Sequence, residues 1–221
     1  MPCKPTPTKS SASGVLAPVE LPKPKWSGGK SLVESLRRRQ TTREISDRKL
    51  PLQVLSNLLW AACGVNRRNG PFGVPGITAA SASNSQEIEL FVAMQHAVYR
   101  FDARNHRLLP VIAGDLRSMA IGRGQKSMVT QAPAQLIYVV DLHRLTHTAG
   151  FEEPGLHDPE VQKSYYYVDT GLIAGNVYLF AASVGLAAWF HNCDRIALSR
   201  KLKLRVAQRV LFGQTVGYPS K

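Results

Sequence analysis

The chain has 221 residues, of which 44% are hydrophobic and 19% charged, which is the composition of a folded globular protein of one ordinary domain. No uninterrupted apolar run exceeds six residues, whereas a membrane-spanning helix needs about 20, so we predict no membrane span. The N-terminal residues resemble no secretory signal, and three scattered cysteines (Cys3, Cys63 and Cys193) favour a reducing compartment over a disulfide framework or zinc site. We therefore expect a cytoplasmic protein.

The net charge of +13 is concentrated at the two ends of the chain. Residues 1–49 hold 11 Lys/Arg against 4 Asp/Glu, and residues 195–221 hold 7 Lys/Arg and no acids. If the ends meet in the fold, they form one electropositive region suited to a phosphate or another polyanion. The alternative is two solvated basic segments that attract anions without specificity.

Residues 1–29 are predicted to be an extended arm with no packed element, because they contain six prolines and several Ser and Gly residues. The folded domain is expected over residues 30–221. A first helix is predicted after Ser31, which can cap it together with Glu34. Its apolar positions recur at helical spacing: Leu32, Val33 and Leu36.

A second helix is predicted from Pro51 to Gly64. Its buried stripe is expected to be Leu52, Leu55, Leu59 and Ala62. The following loop, 66–84, is rich in Gly, Pro and Asn, and loops of that length are usually functional or disordered.

The rest of the chain mixes strands and helices without regular βαβ alternation, which predicts an α+β fold. Strands are expected at 88–94, 97–102, 108–113, 135–141, 187–192 and 209–216, the first three as an antiparallel meander. Helices are expected from Asp115, from Asp158 or Pro159 to Val184, and over 194–202. Gly171 and Gly175 would let another helix approach closely, across a dimer or within one subunit.

The common catalytic templates GxGxxG, GxxxxGK[ST], GxSxG and HExxH are absent. His143 and His147 are spaced as metal ligands on a helix would be, but they fall in a predicted loop without a third ligand in register, so no metal site is predicted.

Two polar segments are candidate binding sites. Arg39-Gln40-Thr41-Thr42-Arg43 follows a helix and could wrap a phosphate, since guanidinium groups and a hydroxyl offer matching donors. The segment 81–86 precedes a strand and has small side chains, so backbone amides could approach a flat ligand there. Asn84 and Gln86 could bond heteroatoms on a ring edge.

Five motifs occur in a fixed order: RQTTR at 39–43, LWAACGVNR at 59–67, ASASNSQ at 80–86, DTG through ASVGL at 169–186, and VGYP at 216–219. In this order they resemble the FMN-dependent nitroreductase family, including its branch related to azoline dehydrogenases of peptide-modifying clusters. Ala80 and Ala82 depart from the family's usual proline and serine, and no basic pair follows the final GYP.

The resemblance implies a nitroreductase-like fold, with a central, mostly antiparallel sheet flanked by helices. It also implies a domain-swapped-type homodimer with FMN at two sites between the subunits. Carried over by position, Arg39, Thr41 and Arg43 would hold the phosphate, with Gln40 near the flavin and Lys221 as a partial phosphate contact. Ser81, Ala82 and Asn84 would reach the same flavin from the partner subunit, Gln125 would lie against the ring, and Phe190, His191 and Asn192 would occupy the strand whose backbone faces it.

The leading hypothesis is an oxidoreductase in which NADH or NADPH reduces FMN at N5 and an electron-poor acceptor, such as a nitroaromatic or quinone, then takes the electrons. This ping-pong cycle needs no side-chain acid or base, so no catalytic side chain is predicted. The runner-up is a flavin-dependent dehydrogenase of a peptide heterocycle or another organic donor. The third is a non-enzymatic protein that binds anions or nucleic acids; without basic–aromatic interleaving or a recognition helix, we expect no nucleic-acid partner.

Overall fold

A computed structural model describes residues 16–122, 124, 131–149 and 157–220. Its strands are β1 (Val19–Glu20), β2 (Val65–Arg67), β3 (Gly76–Ile77), β4 (Ile88–Ala93), β5 (Ala97–Asp102), β6 (Arg107–Ala113), β7 (Ala134–Asp141), β8 (Ala187–His191) and β9 (Gln208–Gly217). Seven of them form one antiparallel sheet in the order β1-β6-β5-β4-β7-β9-β8, and β2 pairs with β3. The predicted α+β class and the β4–β5–β6 meander are confirmed.

The helices are α1 (Leu32–Arg38), α2 (Leu52–Cys63), α3 (Leu142–Thr146), α4 (Pro159–Val184) and α5 (Arg195–Lys201). Their ends follow the local capping signals: the side chains of Ser31, Asp158 and Asp194 each accept a backbone N–H at a helix start. Gly185 ends α4 in the left-handed conformation, at φ 75°. In the described part of the chain, no helix combines the length and apolarity needed to cross a bilayer.

Two expectations about local structure were wrong. The segment after Asp115 forms only a short 3-10 turn, Arg117–Met119, instead of a helix. His143 lies on α3 and His147 ends it, so the two residues are not in a loop, and their rings stack with centroids 4.0 Å apart.

The central strands β4 and β7 are buried on both faces. Even-numbered strand residues, such as Leu90 and Leu136, pack against α2 and α4. Odd-numbered ones, such as Phe91 and Ile137, pack against α5 and the turn at 116–120. This alternation follows from the period of two residues along a strand.

The apolar faces of the first two helices differ from expectation. In α2, Leu55, Leu59 and Ala62 are buried as predicted, but Leu52 is 44% exposed at the helix start. In α1 the predicted stripe is turned outward: Leu32, Val33 and Leu36 are 65%, 76% and 57% exposed, and Ser35 is the buried residue. Helical spacing predicts the helix itself, but not the surface that covers its apolar side.

Residues 19–25 of the arm lie against the domain. Val19 and Glu20 pair with β6 as an edge strand, and the Lys25 N–H donates to Asn57 Oδ1 at 2.9 Å. The expectation of no packed element in the arm was therefore wrong for these residues.

The two basic ends of the chain meet only in part. Residues 44–46 bond to 218–220, through Ser46 N–H to the Tyr218 carbonyl at 2.9 Å and Ser220 N–H to the Glu44 carbonyl at 2.9 Å. Arg205 instead pairs with Asp141, beside the first residue of β9. Nine residue steps along the strand, about 30 Å, separate that position from the end of β9. Most of the C-terminal basic cluster therefore lies away from the N-terminal one.

Two buried carboxyl groups connect the segment before β4 to α4. Glu87 is fully buried; its Oε2 accepts from Ser85 Oγ at 2.6 Å, and its Oε1 has no hydrogen-bond partner within the described residues. Asp169, also buried, accepts the N–H of Ala82 at 2.9 Å. Burial, and then the nearby charge of Asp169, raise the pKa of Glu87 to about 7.

This pair predicts a pH-dependent stability. Glu87 ionises near 4.5 when unfolded and near 7 when folded, so unfolding releases a proton between these values and stability falls as pH rises. At about 1.4 kcal/mol per pKa unit, the loss by pH 8 is at most roughly 3 to 4 kcal/mol. Glu87→Gln should remove it, so the unfolding free energy of the variant relative to wild type should increase from pH 5 to pH 8. Urea denaturation at both pH values measures this.

The matched control is Glu20→Gln, which removes an exposed carboxylate from β1. The Glu87→Gln difference from wild type should change between the two pH values by more than the Glu20→Gln difference does. A Glu87→Gln difference that is independent of pH would contradict the assignment.

Candidate functional site

The basic segment 39–43 leaves α1 and runs beside β8. The Arg39 N–H closes α1 on the Ser35 carbonyl at 2.8 Å, and the Thr42 N–H donates to the Ala188 carbonyl at 3.0 Å. Arg39 and Thr41 contact Tyr178 on α4, while Gln40 and Thr42 line a cavity. Alternate side chains of the segment therefore have different environments.

Two arginines of the segment carry charge that no carboxylate neutralises within the part of the chain described. The Arg39 guanidinium lies 5.6 Å from the centroid of the Tyr178 ring, and that of Arg43 lies 5.5 Å from the centroid of the Trp189 ring. Arg37 and Arg38, by contrast, both pair with Glu34. Exposed guanidinium groups held on aromatic faces without a counter-ion are well suited to bind an anion.

A cavity of about 230 Å³ opens beside this segment. Its wall combines Lys30, Gln40 and Thr42 with the C-terminal end of α4, the start of β8 and Pro219. Three of the five sequence motifs therefore meet at this cavity, although they are far apart in the chain. They are the motifs at 39–43, 169–186 and 216–219.

The outer edge of β8 faces the same region, because β8 is the last strand of the sheet. Backbone groups of its even-numbered residues point away from β9: Ala188 accepts from Thr42, and the Phe190 N–H donates to the Tyr178 hydroxyl at 2.8 Å. By the alternation of an antiparallel ladder, the Phe190 carbonyl points to this edge as well.

His191 and Asn192 differ in what they can offer a ligand. The His191 ring is buried, with Nε2 2.8 Å from Thr215 Oγ1 and Nδ1 2.9 Å from the Asn192 carbonyl oxygen. Burial lowers its pKa, and both ring nitrogens already have partners in the chain, so the ring belongs to the interior. Asn192 is exposed, and its Oδ1 accepts from Arg195 at 3.1 Å.

The second predicted segment is anchored elsewhere on α4. Ala82 donates its N–H to Asp169, and the Ser81 hydroxyl accepts the N–H of Gln86 at 3.0 Å. The Asn84 amide donates to the Val74 carbonyl at 3.1 Å, with φ of Asn84 at 54°. Asp169 precedes Tyr178 by nine residues, or about 13 Å along the helix. The structure therefore brings 39–43 and 190–192 together but attaches 81–84 at a separate position, while Gln125 and Lys221 lie outside the described residues.

Sequence reasoning missed Tyr178, Trp189 and Lys30 as site residues. Tyr178 lies in an apolar run, and that pattern predicts a core residue. The available signal is its phenolic hydroxyl, because a half-buried tyrosine usually finds a polar partner.

The sequence is similar to those of known proteins. The sequence model of the nitroreductase family matches residues 36–218 of this chain. A protein of Methanocaldococcus jannaschii that is named a nitroreductase is 27% identical over 162 residues, which cover 70% of this chain and 75% of that protein.

Solved structures give the same result. A crystal structure described as a nitroreductase, from Ralstonia eutropha JMP134, has a TM-score of 0.78 at 31% identity, covering 92% of this chain and 90% of that one. A chain of the Escherichia coli microcin synthetase complex, solved with truncated pro-MccB17 bound, has a TM-score of 0.66 at 16% identity, covering 100% of this chain and 85% of that one, which shows likeness of fold alone. With its family model spanning most of its length, the chain belongs to the nitroreductase family of oxidoreductases.

Proposed function

We propose that the protein is an FMN-dependent oxidoreductase that uses NADH or NADPH to reduce an electron-poor acceptor such as a nitroaromatic or a quinone. The observation that carries this proposal is the pair of unneutralised guanidinium groups, Arg39 and Arg43, beside the open edge of β8. Two cations and the Thr41 hydroxyl are a donor set that fits a phosphate monoester. A backbone edge next to it fits a planar ring that needs hydrogen bonds at its rim.

Each group of this chain has a binding role in the proposal. Arg39, Thr41 and Arg43 would hold the phosphate, Gln40 would lie near the flavin, and Phe190 and Asn192 would present backbone groups to the ring. FMN, when bound, would supply the hydride chemistry. No side-chain acid or base is then required, which accords with the absence of a catalytic template from the sequence.

The proposed site requires a second copy of the chain. The cavity of about 230 Å³ is smaller than the 300–1,000 Å³ or so of most small-molecule sites. In the proposed homodimer, Ser81, Ala82 and Asn84 of one subunit complete the site of the other. The anchoring of Ala82 at Asp169, away from Tyr178 on the same helix, supports this division between subunits.

An exposed apolar face supports the homodimer. Val168, Gly171, Leu172 and Gly175 follow the i, i+3, i+4, i+7 spacing of one face of α4. Val168 and Leu172 are 60% and 44% exposed, and a Cβ added at either glycine would touch nothing in the described chain. Among the described residues nothing packs closely on these glycines, so of the two expectations for them we propose packing between subunits.

The likeness of fold to a microcin synthetase chain is the observation that favours the second candidate, a flavin-dependent dehydrogenase of an organic donor. Anaerobic titration of the FMN-loaded protein distinguishes the two directions. The proposal predicts that NADH or NADPH bleaches the flavin band and that an added quinone restores it. Bleaching by an organic donor but by neither nicotinamide would favour the dehydrogenase.

The phosphate assignment predicts a charge-specific loss of cofactor binding. Arg39→Ala and Arg43→Ala should each weaken FMN binding by about 10- to 100-fold, as expected when a charged hydrogen bond is lost, and should change riboflavin binding much less. Flavin fluorescence titration measures both affinities. Arg37→Ala is the control, since that arginine pairs with Glu34; a loss as large in this variant, or equal losses for FMN and riboflavin, would contradict the assignment.

The subunit arrangement predicts that dimerisation and FMN retention are lost together. Val168→Glu places a charge on the exposed face of α4 and should convert a dimer into a monomer that no longer retains FMN. Light scattering after size exclusion measures the oligomeric state, and absorbance measures the bound FMN. Val206→Glu is the control, because Val206 is a fully exposed apolar residue before β9. A monomeric variant that still retains one FMN per chain would exclude a site shared between subunits.

A further inference from the structure

Tyr178 lies between the basic segment and the edge of β8 and bonds to both. Its hydroxyl oxygen is 3.1 Å from Thr41 Oγ1 and accepts the Phe190 N–H at 2.8 Å. Its ring supports the Arg39 guanidinium. One side chain therefore connects the end proposed to hold phosphate with the strand proposed to face the ring.

When an anion binds Thr41, the number of hydroxyl hydrogens on Thr41 and Tyr178 decides which of the two side chains donates to the other. A phenol has one hydrogen and two acceptor positions, and a threonine hydroxyl has the same. The Phe190 N–H already occupies one acceptor position on Tyr178. A phosphate dianion only accepts, so Thr41 can bond it only by donating its single hydrogen. Tyr178 must then be the donor to Thr41.

We propose that Tyr178 is a positioning residue whose hydroxyl, held by the Phe190 N–H, turns Thr41 into a hydrogen-bond donor toward the phosphate of FMN. This inference rests on the proposed function. The bonds Phe190 N–H to Tyr178, Tyr178 to Thr41 and Thr41 to phosphate then run in one direction, and bonds in such a chain polarise one another. The relay makes phosphate binding depend on a residue that does not itself touch the phosphate.

The variant Tyr178→Phe separates the role of the hydroxyl from the packing of the ring. It fills nearly the same volume and still offers an aromatic face to Arg39. It removes the acceptor of the Phe190 N–H and the donor to Thr41. Thr41→Val removes the other hydroxyl of the relay at an exposed position with similar shape, whereas Thr41→Ser keeps that hydroxyl.

The test compares FMN with riboflavin, which lacks the phosphate, by fluorescence titration of the full chain. Tyr178→Phe and Thr41→Val should each weaken FMN binding about tenfold and riboflavin binding less than about twofold, the lower end of what is expected when a hydrogen bond to a charged group is lost. Because both act on one relay, the double variant should lose about as much as either single variant. Thr41→Ser should bind FMN like wild type.

The matched control is Tyr167→Phe, which makes the same change on an exposed ring of the same helix and should leave both affinities unchanged. Equal losses for FMN and riboflavin in Tyr178→Phe, or losses that multiply to about 100-fold in the double variant, would overturn the relay. If Tyr178→Phe does not fold, wild-type FMN affinity in Thr41→Val overturns it. Weakened binding in Arg39→Ala with normal binding in Tyr178→Phe and Thr41→Val would overturn this inference alone, whereas wild type that never retains FMN would overturn the proposed function as well.

Discussion

The arrangement of the candidate site depends on which groups form hydrogen bonds with the backbone at the outer edge of β8. An edge strand leaves backbone N–H and C=O groups without a neighbouring strand, and such groups need partners. In this chain the Thr42 N–H and the Tyr178 hydroxyl supply two of them. The same bonds hold the basic segment beside the strand, so two unpaired guanidinium groups come to lie next to exposed backbone.

The long helix α4 sets the distance between the two halves of the proposed site. It spans 26 residues, or about 39 Å, and carries both anchors, Asp169 for the loop at 81–84 and Tyr178 for the basic segment. A straight helix keeps these two anchors about 13 Å apart, so the two segments lie at separate positions on one chain. This is the physical reason why we propose a site shared between two subunits.

The large positive charge is less important than its distribution. Arg37 and Arg38 are neutralised by Glu34, and Arg100, Arg144 and Arg205 pair with Glu89 and Asp141. What remains at the site is a small group of cations that matches one phosphate.

The sequence by itself determined the elements that depend on neighbouring residues: the caps of α1 and α4 at Ser31 and Asp158, the meander, and the ordered motifs that indicate the family. Only the tertiary structure decided that Arg39 and Arg43 lie on the rings of Tyr178 and Trp189, which belong to other elements. It also decided that α1 turns its apolar side outward and that Tyr178 bonds Thr41, 137 residues away. Periodicity and capping act over a few residues, whereas these contacts arise only when distant segments pack together.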